Sequence, residues 1–300
     1  MSYRDQLPNV RLDGDNVPVW RSLNYTTRER LLHWSFNVML GVALLVVLAP
    51  LFWMFSTALR PQTQLFDLPT SLLPQNLTLE AFRRVISGSN FLTWYMNSIL
   101  VSAGVVMLTT VTATLAGYGL TRISIPFKKT FARVILFGYM FPAILLAIPM
   151  FIFWRQLGWV DSQFGLVLAE TAISLPFGIW LMWKFFQTVP VSLEESAQMA
   201  GASRFRAFYE VALPMAKPGM VAVAVFSYAV SWNEFTMPSV LLVSNESWVL
   251  TLGLYSFTQQ NQVLWSQLMA ASALTVLPSF LFVYFLQHNL LRGFRAGGIG

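Results

Sequence analysis

Two carboxylates stand where a charge is hard to keep. Glu234 is the sole charged residue between positions 219 and 243, and Glu170 shares 164–186 with Lys184 alone. Inside a bilayer a charge costs about 3 kcal/mol or more unless it faces a cavity or finds a partner, so both are functional candidates. Glu234 follows Trp232 and Asn233; together they offer an aromatic face and hydrogen-bonding groups, the chemistry that holds sugars. It lies about 24 Å along a helix from Pro218 at about 1.5 Å per residue, a depth suited to a chamber in the outer part of a membrane. A bond to a neighbouring helix or a place at the interface would satisfy it equally well. Glu170 falls within a turn or two of the outer boundary, where a structural role fits better. Asn97 and Gln156 also sit near outer ends, within reach of a substrate or satisfied at the interface.

Other chemistries lack their residues. The chain has no cysteine and two histidines, His33 and His288, far apart in sequence, so neither a thiolate nucleophile nor a zinc site has its donors. HExxH, GxSxG and any Gly-Lys dipeptide are absent. That removes the metalloprotease and nucleophile-elbow readings and a phosphate-cradling loop of the Walker type.

Residues 188–218 carry a second kind of signal, suited to docking. Ser192 with Glu195 three residues on predicts a capping box, and Glu194 suits the positive end of a helix dipole. The helix is expected to stop at Gly201, which tolerates a left-handed cap. Ser203 is placed to cap a second helix over 204–212, ended by Pro214, and Pro218 to open the next long helix. Phe205, Phe208 and Tyr209 recur at one-turn spacing. They form a face for a groove on a partner, or one that folds back on the bilayer surface or the chain's own helices; the pattern leaves both open.

The elements that must position these residues follow from the charge distribution. Of 300 residues, 56% are hydrophobic and only 11% charged, about half the charged share of an ordinary soluble domain. A crossing helix needs about 20 apolar residues to span about 30 Å of hydrocarbon. Gaps between charges predict six, at about 34–59, 91–120, 134–154, 164–186, 219–243 and 268–290. The reading is an all-α, polytopic membrane protein: an N-terminal arm 1–33, a six-helix domain 34–290 containing the 188–218 loop, and a tail 291–300, expected from its glycines to be flexible unless a partner orders it. The arm lacks the apolar core of a signal peptide, so the first helix reads as an uncleaved anchor. All but Arg60, Arg83, Arg84 and Arg155 of the 19 Lys and Arg residues fall on segments that share one side. The positive-inside bias then puts both termini in the cytoplasm. The net charge of +6 is thereby a topology signal, and nucleic acid is not an expected partner.

Glu195, Ala197, Gly201, Leu213 and Pro214 resemble the EAA loop of inner-membrane permease subunits of ATP-binding-cassette importers. Ser196 and Ala200 depart from that pattern. The likeness runs along most of the chain. Asn97-Ser98, Tyr118 to Arg122, Gly158, Leu175-Pro176-Phe177, Trp232 to Phe235 and the ending Arg292-Gly293-Phe294 are similar to the carbohydrate branch, and most to the second permease of maltose-type importers. The resemblance implies that 188–218 carries a coupling helix that seats in a cytoplasmic ATPase. Its contact residues would be Glu194, Glu195, Ala197, Gly201, Ala202, Ser203, Arg204, Phe205, Arg206, Phe208, Leu213 and Pro214. A tail contact with the ATPase through Arg292, Gly293 and Arg295 is implied too, as is a loop at 244–267 that meets a binding protein.

It further implies a non-catalytic, multi-pass subunit of a bacterial or archaeal inner membrane. Its partners would be a homologous second permease, an ATPase dimer that binds ATP and Mg²⁺, and an extracytoplasmic sugar-binding protein. No cofactor or metal is expected in this chain. The cargo would be a sugar or polyol passing Asn97, Trp232, Asn233 and Glu234 by alternating access. The competing class is a self-contained ion-coupled carrier using Glu234, which should also show midplane carboxylates and repeats.

Overall fold

The computed structural model describes the backbone at 25–65, 76–124, 126–259 and 263–297, and side chains from 30 to 287 within those stretches. The described residues form twelve α-helices and no strand. Five helices are long and apolar enough to cross a membrane, and a bent pair makes a sixth if counted as one span.

Through Trp53 the chain forms a unit by itself. It holds most of α1 (Tyr25–Ala58), whose apolar residues from Leu31 to Leu48 are all exposed. A helix apolar on every side has no water-facing stripe, and a bilayer supplies the surroundings that it needs.

The second unit begins at Met54. After α2 (Glu80–Gly88), its centre is α3 (Phe91–Arg122), packed against α6 (Gln163–Thr188) and α9 (Leu213–Asn233). Gly117 explains how closely α3 and α6 approach: a Cβ there would lie 2.7 Å from the Cβ of Met182 and 2.8 Å from backbone atoms of α6. Buried Val101, Val105, Leu166 and Ala169 fill one end of this seam, and Ala113, Met182, Phe186 and Val223 the other.

The third expected span, 134–154, is not one helix. The chain makes α4 (Lys128–Gly138) and α5 (Ala143–Leu157), bent by 89°. Pro142 at the start of α5 has no N–H to give and pushes Phe141 out of the α region, so α4 ends before it and a new helix begins after. The fifth span also differs. Instead of 219–243 the long helix ends at Asn233, and α10 (Thr236–Leu241) turns away after a break at Glu234. Residues 250–256 form α11, and α12 (Trp265–Gly297) is the last crossing helix. Its backbone stays helical through 292–297, where a flexible tail was expected. Helix growth adds one hydrogen bond per residue ordered, so a long preceding helix carries on through isolated glycines.

Candidate functional site

The 188–218 segment folds as α7 (Val191–Met199) and α8 (Arg204–Ala207) with a glycine between them. Gly201 has φ +93°. The Ala202 N–H donates to the Ala197 carbonyl at 3.0 Å and the Gly201 N–H to that of Gln198 at 2.9 Å, a Schellman closure that satisfies the end of α7. Ser203 Oγ accepts from the Arg206 N–H at 3.2 Å and caps α8 as expected.

Two local expectations fail. The capping box of Ser192 and Glu195 does not form, because α7 begins at Val191 with Pro190 at its cap. Ser192 is thus already inside the helix, where its carbonyl accepts the Ser196 hydroxyl at 2.7 Å. Nor does the second helix end before Pro214. It runs on through a wide turn at Phe208–Ala212 into α9, so that residues 204–233 are continuous. The Leu213 N–H reaches back to the Phe208 carbonyl; the widened turn lets the chain pass Pro214, which cannot donate and would crowd a regular turn.

Glu194 is the pivot of the pair. It is 3% exposed and so is turned away from any docking partner. Oε1 accepts from Arg122 Nε at 2.7 Å and Oε2 from the Tyr118 hydroxyl at 2.7 Å. Arg122 also donates to the carbonyls of Val189 at 2.8 Å and Phe186 at 3.4 Å. The last turn of α3 therefore grips both the end of α6 and the start of α7. Phe208, expected on the outward aromatic face, is instead 8% exposed, with its ring 4.5 Å from that of Tyr118. The outward face keeps Met199, Phe205 and Tyr209, which are 90%, 74% and 61% exposed. Glu195, Gly201, Ser203, Arg204, Arg206 and Pro214 are exposed around them; Ala197, Ala202 and Leu213 are half-buried. Arg206 donates to Glu210 at 3.0 Å, one turn on.

The residues expected along a substrate path each meet partners within the chain. Asn97 is buried and donates to the carbonyls of Glu246 and Trp248 at 2.7 and 2.8 Å, clamping α3 to the segment before α11. Trp232 is buried, stacked on Tyr228 at 5.3 Å and edge-on to Tyr95. Glu234 is half-buried, and its Oε1 accepts from the N–H groups of Thr236 and Met237 at 2.7 and 3.2 Å. Standing just before the cap position held by Phe235, its carboxylate serves free N–H groups of the first turn of α10, which explains both the charge and the break in the span. Asn233 is exposed and donates to the Ala229 carbonyl. Glu170, 1% exposed, accepts the Ser231 hydroxyl, which in turn lies 3.2 Å from that of Ser102. A hydroxyl partner from α9 makes it a packing residue. The backbone of Arg292, Gly293 and Arg295 belongs to α12, but their side chains lie outside the described residues, as does the arm 1–24.

Sequence reasoning missed Asp161. It has φ +59°, and its Oδ1 accepts from the Val243 and Ser244 N–H groups at 2.9 and 3.0 Å and from the Ser247 hydroxyl. Desolvation pushes its pKa up, but these donors outweigh it and hold the carboxyl down at about 2. Asp161 thus pins the 243–247 loop beside the turn between α5 and α6. An Asp-Ser pair just before a long apolar helix is visible in the sequence, but its partners lie more than 80 residues away.

Residues 110–296 match the family described as binding-protein-dependent transport system inner membrane component. The diacetylchitobiose uptake system permease protein NgcG of Streptomyces coelicolor is 31% identical over 238 residues, covering 79% of this chain and 78% of that protein. The trehalose transport system permease protein SugB of Mycobacterium tuberculosis is 28% identical over 275 residues, covering 90% of this chain and 98% of its own. In fold, the chain is similar to a subunit of a bacterial ABC transporter involved in the import of the acidic polysaccharide alginate. That likeness has a TM-score of 0.72 at 24% identity and covers 89% of this chain and 99% of the other.

Proposed function

The chain belongs to the binding-protein-dependent transport system inner membrane component family, and from that premise we propose how this permease subunit works. It is a multi-pass protein of the inner membrane and a carbohydrate importer's permease. Its cargo is a saccharide or related polyol, a class supported by relatives named for diacetylchitobiose, trehalose and maltodextrin. Both termini and the α7–α8 pair lie in the cytoplasm, following the basic residues. A separate ATPase dimer binds ATP and Mg²⁺ and drives alternating access. A second, homologous permease completes the pore, and a binding protein delivers the sugar.

The observation that carries this reading is the α7–α8 pair. Its outward crest of Met199, Phe205 and Tyr209 leaves large apolar side chains in water unless a partner covers them. Its inward side is fastened to α3 by Glu194, Arg122 and Tyr118. A push on the crest would thus reach α3 and α6 directly, as well as α9 through the continuous helix, so three central helices would move with one contact. Glu234 bonded to the first turn of α10 weakens the ion-coupled alternative, since a coupling carboxylate must be free to exchange its ion. The test is reconstitution in liposomes with and without the co-expressed ATPase. Uptake that needs the ATPase and ATP is the expected result; sugar uptake by this chain alone would overturn the reading.

A further inference from the structure

A second recess lies apart from the α7–α8 crest, where the ends of α3, α4 and α6 meet. It encloses ≈ 570 Å³ and is lined by Lys128, Lys129 and Arg133 from α4 and by Trp180, Trp183 and Lys184 from α6. Every charged residue that lines it is basic. Among the described residues none of these four cations takes part in a salt bridge. Lys184 Nζ lies 4.8 Å from the centre of the Trp183 ring and 6.0 Å from that of Trp180, and Lys128 donates to the Thr121 carbonyl at 3.4 Å. The floor beneath is apolar, built from Leu120, Ala132 and Trp183 with Ile135, Ile179 and Trp180 against them.

Four cations around an aromatic floor, with no carboxylate among them, call for a phosphate-bearing ligand. The floor of the recess says which kind. Trp180 and Trp183 line it side by side with Lys184, so aromatic surface lies directly among the cations. A soluble anion has no use for an aromatic floor within its site, whereas a lipid needs both a basic seat for its headgroup and an apolar surface for the start of its chains. Basic pockets between membrane helices, at the end that carries the positive charge, have this makeup.

We propose that this recess binds the headgroup of an anionic phospholipid, with the upper part of its acyl chains over Trp180 and Trp183. The proposal rests on the chain crossing a membrane and is independent of what it transports. It is read by native mass spectrometry of the full chain in its purified complex, with phosphatidylglycerol or phosphatidylcholine added in detergent. Phosphatidylglycerol should be retained in clear preference to phosphatidylcholine. Each surface cation contributes about fivefold to such binding, so Lys129→Gln, Arg133→Gln and Lys184→Gln together should weaken retention about a hundredfold, and Lys184→Gln alone about fivefold. The charge-preserving variant Lys129→Arg, Arg133→Lys, Lys184→Arg should retain the lipid; its gel-filtration profile and that of the glutamine variant show whether each is folded. Equal retention of the two lipids, or undiminished retention by the glutamine variants, would overturn the proposal. So would displacement of phosphatidylglycerol by equimolar inorganic phosphate, which would assign the recess to a soluble anion. Loss of transport activity alone moves none of these readings, so a failure here and a failure of the importer reading are separable.

Discussion

Substituting Arg122 tests whether α7 is fastened to the bundle from beneath. The side chains of Arg122 and Glu194 are 11% and 4% exposed, and the guanidinium serves Glu194 and two carbonyls at once. Arg122→Ala would leave a buried carboxylate with Tyr118 as its remaining donor. Breaking a buried pair from one side costs about 3–5 kcal/mol; near the end of α3, within reach of water, about 3 kcal/mol is the fitting figure. If that loss is felt as local opening, α7 should open about a hundredfold more often. Hydrogen exchange across Val191–Met199 would report it, with α3 amides above Gly117 as the internal reference. Glu194→Leu alone should loosen α7 similarly. The double variant Arg122→Leu, Glu194→Leu removes both charges and should be less damaged than the sum of the two. Wild-type protection of α7 in Arg122→Ala, or strict additivity in the double variant, would refute the fastening.

Other consequences are equally open to measurement. Gly201→Ala forces a side chain into φ +93°, which costs about 1–2 kcal/mol; the variant should insert normally yet couple ATP hydrolysis to transport less well, read as ATP consumed per sugar moved. Glu234→Gln keeps an oxygen for the Thr236 and Met237 N–H groups, so transport should fall by less than about threefold, whereas Glu234→Ala should fall further; abolition by Glu234→Gln would restore the ion-coupled reading. Asp161, held at about 2 in the folded chain against about 3.9 when unfolded, stabilises its loop above pH 4. That contribution is lost as pH falls from about 4 to about 2. Exchange at Val243 and Ser244, corrected for intrinsic rate, should be slow down to pH 4 and rise below it, and should be fast at every pH in Asp161→Ala.

The long helices were legible because a bilayer allows few charges, and the gaps between charges mark α3 and α6 closely, while α1 begins before its gap and α12 runs on past its own. Their breaks were harder to see. Pro142 and the Glu234 carboxylate interrupt apolar runs that look continuous to any measure of hydropathy, and only the dihedral limits at proline and the bonds to free N–H groups decide where each helix stops. In the helix pair, Gly201 and Ser203 were readable because a cap is a matter of a few neighbouring residues. Glu194 was not, since its partner Arg122 stands 72 residues earlier and the dipole argument that suits it is purely local. Phe208 and Tyr209 are adjacent, and helical spacing alone did not say which of them Tyr118 would draw inward. The continuity of α8 with α9 was hidden by Pro214, a residue that a wide turn accommodates and a regular one does not.

The central claim is that the outward crest of α7 and α8 seats on an ATPase. A chain without cysteine allows a direct measurement, because a single Phe205→Cys can be tagged with a photoreactive maleimide in the assembled complex. Illumination should yield an adduct of this chain with the ATPase, while the same tag at Phe127→Cys, in the turn before α4 and apart from the crest, should yield none. An active complex in which the Phe205 tag never reaches the ATPase would contradict the account.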